Sequence, residues 1–235
     1  MKKFLIIFCT ISLALNLLLF FCLAIKDEEY KIQLENINSN KITEKTAEDY
    51  KKENIVFLGD SITDWCPFEE LYEDYIPIVN SGKAGYKTQD ILSELEELVY
   101  QYNPSKVIIL IGTNDIAGGV SENEIISNIE KIVTNIQKKR KHAHIYIQSI
   151  YPINNTNVEK INKKTVGKRE NSDIKKINKK IKKICNEKKA TYINMYKELV
   201  DKDGNLFIDY TSDGLHISKL GYLKIARKML PYLEM

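Results

Sequence analysis

The stretch that decides the fold is Asn54-Ile55-Val56-Phe57-Leu58-Gly59-Asp60-Ser61-Ile62-Thr63. Residues 55–58 are apolar without alternation, so the strand they form must be covered on both faces, the habit of parallel sheets flanked by helices. Gly59 ends the run, and Asp60-Ser61 opens a turn into a helix, which exposes a serine hydroxyl at the carboxyl end of a buried strand. Outward from it, residues 54–58, 76–80, 106–111, 144–150 and 191–194 read as five short strands. Between them, residues 88–102, 121–140 and 173–189 carry helical spacing, and 218–230 closes the chain with a last helix. Ser121 with Glu124 three residues on is a capping-box start. This alternation predicts an α/β fold, a three-layer α/β/α sandwich around a five-stranded, mostly parallel sheet. Its site is expected in the loops at the carboxyl ends of the strands.

The chain has 235 residues, 43% hydrophobic and 29% charged, with a net charge of +3. That composition supports one well-buried core and excludes disorder or a fibrous fold. It gives no reason to expect a nucleic-acid partner. Of the 4 cysteines, only Cys66 and Cys185 lie outside the apolar N-terminus, too few for a disulfide scaffold.

Lys2 and Lys3 precede residues 4–25, which carry no charge and end at Lys26-Asp27-Glu28-Glu29. This run matches the roughly 20 residues of a transmembrane helix better than a signal-peptide core of about 7–15. The flanking charges place Met1 in the cytoplasm and everything after Lys26 outside. The expected organisation is a membrane anchor over 1–25, a polar stalk over 26–52 and a folded domain over 53–235, on a single-pass protein of the cell membrane. A signal cleaved after Cys22-Leu23-Ala24, giving a secreted protein, and a lipid on Cys22 are the alternatives.

Ser61 stands at the start of a helix whose backbone N–H groups suit a developing oxyanion. Asp213-Gly214-Leu215-His216 lies before the last helix, where a three-residue spacing brings a carboxylate onto an imidazole. Asn80-Ser81-Gly82-Lys83-Ala84-Gly85 follows the second strand and Gly112-Thr113-Asn114-Asp115 the third. Glycine N–H groups and an asparagine amide are donors that need no proton loss. Each block alone has an ordinary reading as a turn or helix cap.

Together and in this order, the blocks resemble those of the SGNH or GDSL hydrolase family, over essentially all of residues 53–230. Ile150-Tyr151-Pro152 and Gly221-Tyr222 fall within the same span. The resemblance implies a flavodoxin-like fold with Ser61 as nucleophile, His216 as general base and then acid, and Asp213 as its orienting partner. It also implies an oxyanion hole from the Ser61 N–H, the Gly85 N–H and the Asn114 amide, with Gly82 as the alternative to Gly85. Asp60 and Asp115 are then expected to brace loops.

Other candidates carry less. His142 and His144 lack companions to complete a metal site, so no metal is expected. Cys66 and Cys185 read as small buried residues. Trp65, Pro67 and Phe68 read first as packing and second as substrate contacts. Asp201-Lys202-Asp203-Gly204 reads as a turn. The Asn- and Lys-rich segment 154–189 reads as a polar loop and a solvated helix face, with anionic wall polymers or lipid headgroups as the sharper alternative. The expected function is an extracytoplasmic serine esterase that needs no cofactor. Its substrate is a small or polymer-linked ester, either an O-acetyl group on a cell-surface carbohydrate or a lipid acyl ester. An O-acyltransferase and a noncatalytic wall-binding module are the alternatives.

Overall fold

A computed structural model describes residues 25–26, 28–33, 54–73 and 77–234. Strand β1 (Ile55–Gly59) pairs in parallel with β2 (Ile78–Gly82) on one side and β3 (Lys106–Leu110) on the other. Strands β4 (His144–Gln148) and β5 (Thr191–Ile193) follow, giving the order β2-β1-β3-β4-β5 with every neighbour parallel. The sheet is thus wholly rather than mostly parallel.

Side chains alternate across each strand, so β1 feeds two cores. Val56 and Leu58 join Val107 and Ile109 on one face, under helices α3 (Thr88–Ser93), α4 (Leu95–Leu98), α6 (Glu122–Lys139) and α8 (Asn171–Lys188). Ile55 and Phe57 join Ile108 and Leu110 on the other, with α1 (Ser61–Asp64), α2 (Phe68–Leu71) and α10 (Lys219–Glu234). Burial on both faces explains why these strands show no polar alternation. Each buried Ile or Leu contributes about 1.5–3 kcal/mol. The remaining short helices are α5 (Thr113–Ala117), α7 (Lys163–Val166) and α9 (Met195–Leu199).

The long helices match their sequence patterns. Ser121 caps α6 by accepting the Glu124 N–H at 3.2 Å. In α8, Ile174, Ile177, Ile181 and Ile184 form the buried stripe while the lysines face outward. Strands β3, β4 and β5 end one or two residues earlier than expected, and three larger differences have local causes. Residues 88–102 form two short helices and a 3-10 turn (Tyr100–Tyr102), because the Ser93 hydroxyl bonds back to the carbonyls of Gln89 and Asp90 and competes with the helix ladder. β2 runs on to Gly82 because its pairing with β1 continues through Asn80, Ser81 and Gly82. α10 passes Pro231 and ends at Glu234, its last turn held by Leu233, which is almost fully buried.

Among the described residues, no helix is long and apolar enough to cross a membrane. The expected span over 4–25 lies outside the described residues except for Ile25. Within the expected stalk, residues 28–33 are helical. Tyr30 is buried against the second core with its hydroxyl on Glu70, and Lys26 stands 3.5 Å from Asp209.

Candidate active site

All five strands end at the same edge of the sheet, and the order β2-β1-β3 sets the loops carrying Gly85, Ser61 and Asn114 side by side. Asp60 caps α1, its Oδ1 accepting the Ile62 N–H at 3.0 Å, so Ser61 becomes the first helical residue. Gly59 is required beneath it. A Cβ there would stand 2.2 Å from Thr63 Oγ1 and 2.5 Å from the Leu110 carbonyl. The far side of α1 is tied to α10 by the Tyr222 hydroxyl, which donates to the Ile62 carbonyl at 2.8 Å.

The segment before α10 brings in the other two groups. Ser61 Oγ lies 3.2 Å from His216 Nε2, and His216 Nδ1 lies 2.7 Å from Asp213 Oδ2. The second oxygen of Asp213 accepts the backbone N–H groups of Leu215 and His216 at 2.9 and 2.8 Å, which fixes the carboxylate under the ring. Gly214, at φ +99°, turns the chain between them, where a Cβ would meet the Asn154 carbonyl at 2.5 Å. The Thr211 hydroxyl closes the loop by donating to the His216 carbonyl and accepting the Gly214 N–H, both at 2.8 Å.

A carboxylate can only accept, so Nδ1 carries a proton toward Asp213, and in the neutral ring Nε2 then presents a lone pair to Ser61. Burial pushes the Asp213 carboxyl up, but the hydrogen bonds from His216 and Leu215 outweigh it and hold the group below its ordinary value. The Trp65 indole, 54% exposed, packs at 4.2 Å between centroids on the imidazole.

The neighbouring loops hold donors. Gly85 has φ +83° and nothing within 4 Å of the place a Cβ would take. The Gly82 N–H is already spent on Asn80 Oδ1 at 2.9 Å. Among the described residues, the amides of Ser61 and Gly85 bond to no other group. Asn114, in the first turn of α5, gives one amide hydrogen to the Tyr86 carbonyl at 3.0 Å and accepts from Arg169 Nη2 at 2.9 Å on its oxygen. Its second amide hydrogen remains for a ligand.

Asp115 braces the same loops, taking the Thr88 N–H and, at 2.6 Å, the Thr88 hydroxyl, which itself accepts from Asn128. Asp60 keeps one buried oxygen without a partner, and burial raises its carboxyl to about 7. Burial likewise pushes the thiols of Cys66 and Cys185 up, away from thiolate chemistry. Among the described residues, no three His, Cys, Asp or Glu gather as metal ligands. His144 bonds to Thr191 at 2.9 Å. Asp201 accepts the N–H groups of Asp203 and Asn205 at 2.9 Å each, making the turn expected there.

Sequence reasoning missed Arg169. It sits in the lysine-rich run where one more cation carries no signal, yet it is 4% exposed and hydrogen-bonds to Asn114.

A parallel five-stranded α/β sandwich with a serine, an imidazole and a carboxylate in one hydrogen-bonded row defines a class of hydrolases acting on esters. The chain belongs to the GDSL-like lipase/acylhydrolase family, whose model matches residues 57–224. It is 28% identical over 200 residues to an N-acylneuraminate cytidylyltransferase of Escherichia coli, covering 84% of this chain and 44% of that one. The chain therefore spans less than half the length of that relative. It is 23% identical over 183 residues to platelet-activating factor acetylhydrolase IB subunit alpha1 of Bos taurus, covering 76% of this chain and 74% of the relative. A solved structure from Streptococcus pneumoniae, described as a platelet activating factor, superposes with a TM-score of 0.73 at 31% identity, over 94% of this chain and 99% of that one.

Proposed function

We propose that the protein is a serine esterase that removes an acetyl group from a carbohydrate hydroxyl through an acyl-enzyme. The observation that carries it is the row Asp213–His216–Ser61, with contacts of 2.7 and 3.2 Å. His216 Nε2 takes the Ser61 proton as Oγ attacks the ester carbonyl, and Asp213 stabilises the imidazolium. The tetrahedral oxyanion accepts from the Ser61 N–H, the Gly85 N–H and the Asn114 amide. His216 then protonates the departing alcohol, and water, deprotonated by the same imidazole, releases acetate and frees Ser61.

A carbohydrate alcohol is supported by the half-exposed Trp65 face beside His216, a flat apolar surface for a sugar ring. One relative is named for an N-acylneuraminate, which supports the sugar, and another is named a platelet-activating factor acetylhydrolase, which supports the acetyl group alone. The charge pattern around residues 4–25 supports work outside the membrane.

Hydrolysis of p-nitrophenyl esters from acetyl to octanoyl by the full chain tests the reading, with Ser61→Ala as the blank. Serine-dependent turnover confined to the shortest esters is expected. Turnover that persists to octanoyl would replace the sugar ester by a lipid one. No serine-dependent turnover, together with no labelling of Ser61 by a fluorophosphonate, would overturn the esterase.

A further inference from the structure

The polar segment 154–170 touches both halves of the site. The Asn154 N–H donates to the Gly214 carbonyl and the Asn162 N–H to the Asp213 carbonyl, each at 2.8 Å, so the segment grips the loop that carries Asp213 and His216. The Asn162 side chain caps α7. Three residues after that helix, the chain sends Arg169 inward to the loop after β3. Its Nε donates to the carbonyl and the hydroxyl of Thr113, its Nη1 to the carbonyls of Thr165 and Val166, and its Nη2 to Asn114 Oδ1, all at 2.9 Å.

A guanidinium has donors only, and a carboxamide has nearly identical ends. The end of Asn114 that faces Arg169 must therefore be oxygen, which turns the nitrogen toward Tyr86 and the reacting carbonyl. We propose that Arg169 is a positioning residue that sets the Asn114 amide for the oxyanion and ties it, through segment 154–170, to the Asp213–His216 loop. This rests on the reading of Asn114 as an oxyanion donor. The arrangement also explains a buried cation in a segment otherwise full of exposed lysines. The fork is consumed by fixed carbonyls on two elements, a geometry that an ammonium does not reproduce.

The test is a double-mutant cycle on the full chain, with p-nitrophenyl acetate as substrate. Arg169→Gln is expected to lower kcat about 10–100-fold with KM changed less than about threefold, as for an interaction made in the transition state. In an Asn114→Ala background the same change should cost less than about twofold, because the group it positions is gone. A full, multiplicative loss in that background would overturn the proposal, as would a wild-type kcat for Arg169→Gln. An Asn114→Ala variant with wild-type kcat would instead overturn the oxyanion reading beneath it.

If Arg169→Gln lacks native circular dichroism, the cycle runs with Arg169→Lys, which keeps the cation and loses the fork. An activity-independent readout is the 15N side-chain amide pair of Asn114, identified by its loss in Asn114→Ala. Its hydrogen exchange should speed up at least about tenfold when Arg169 is replaced, as a locked group becomes free to rotate. Unchanged exchange in a folded Arg169 variant would sink the positioning role even if no ester were turned over.

Discussion

Gly59, at the end of β1, and Gly85, in the loop after β2, demand glycine for different reasons. At Gly59 the demand is space, since a Cβ would fall 2.2 Å from Thr63 Oγ1 and 2.5 Å from the Leu110 carbonyl. Gly59→Ala is expected to cost about 1–3 kcal/mol in urea unfolding and to lower kcat by displacing α1. At Gly85 the demand is conformation alone, φ +83° in open space, so Gly85→Ala should cost only about 1–2 kcal/mol. Asn114→Ala, which removes a donor, is expected to lower kcat about 10²–10³-fold in steady-state assays. The meeting of Ser61, His216 and Asp213 was expected only from the blocks taken together and in order, since each alone reads as a turn or helix cap. Arg169 was not, because its distinction is the set of carbonyls around it.

At the scale of elements, a strand end and a helix are locked by one side chain. Asn178 in α8 exchanges two hydrogen bonds with Ile150, donating to its carbonyl and accepting its N–H, both at 2.8 Å in a buried setting. Asn178→Ala strands both backbone groups and is expected to lower stability by about 2–4 kcal/mol, read from the urea midpoint. Ser93→Ala should act the other way, raising stability by about 0.5 kcal/mol, since it removes the hydroxyl that competes with the helix. Apolar periodicity located all five strands and the long helices. It did not show the break in residues 88–102, because Ile91, Leu95 and Leu98 are buried in the same core on either side of it. Nor did it show β2 reaching Gly82, because a polar strand end is decided by its partner rather than by its own residues.

For the whole molecule, two carboxyls of the site give stability an opposed dependence on pH. Burial lifts Asp60 from its ordinary 3.8 to about 7, so between those values the folded chain holds a proton that the unfolded chain has lost. Its contribution therefore falls as pH rises through that window. Asp213, held below its ordinary value, stabilises above it and loses that contribution as pH drops through the folded value. The urea midpoint is thus expected to decline from about pH 5 to about pH 7.5, and Asp60→Asn should flatten the decline. At the same scale, the apolar run over 4–25 predicts that the full chain sediments with membranes and that a chain lacking those residues does not.

The layered α/β architecture was already written in the residues, since unbroken apolar runs of strand length need cover on both faces. The order of four short blocks, each next to a strand or helix end, was also readable there, and the resemblance they carry implied the nucleophile, donor and base roles. The folded chain was needed to show that Gly82 is spent on Asn80 while the Gly85 amide is open, that the sheet is parallel throughout, and that Arg169 hydrogen-bonds to Asn114. The last two depend on partners far away in the chain, and the first on which rotamer the Asn80 side chain takes once β2 is paired. Local residue types do not encode such pairings, because packing selects them only once the chain has closed on itself.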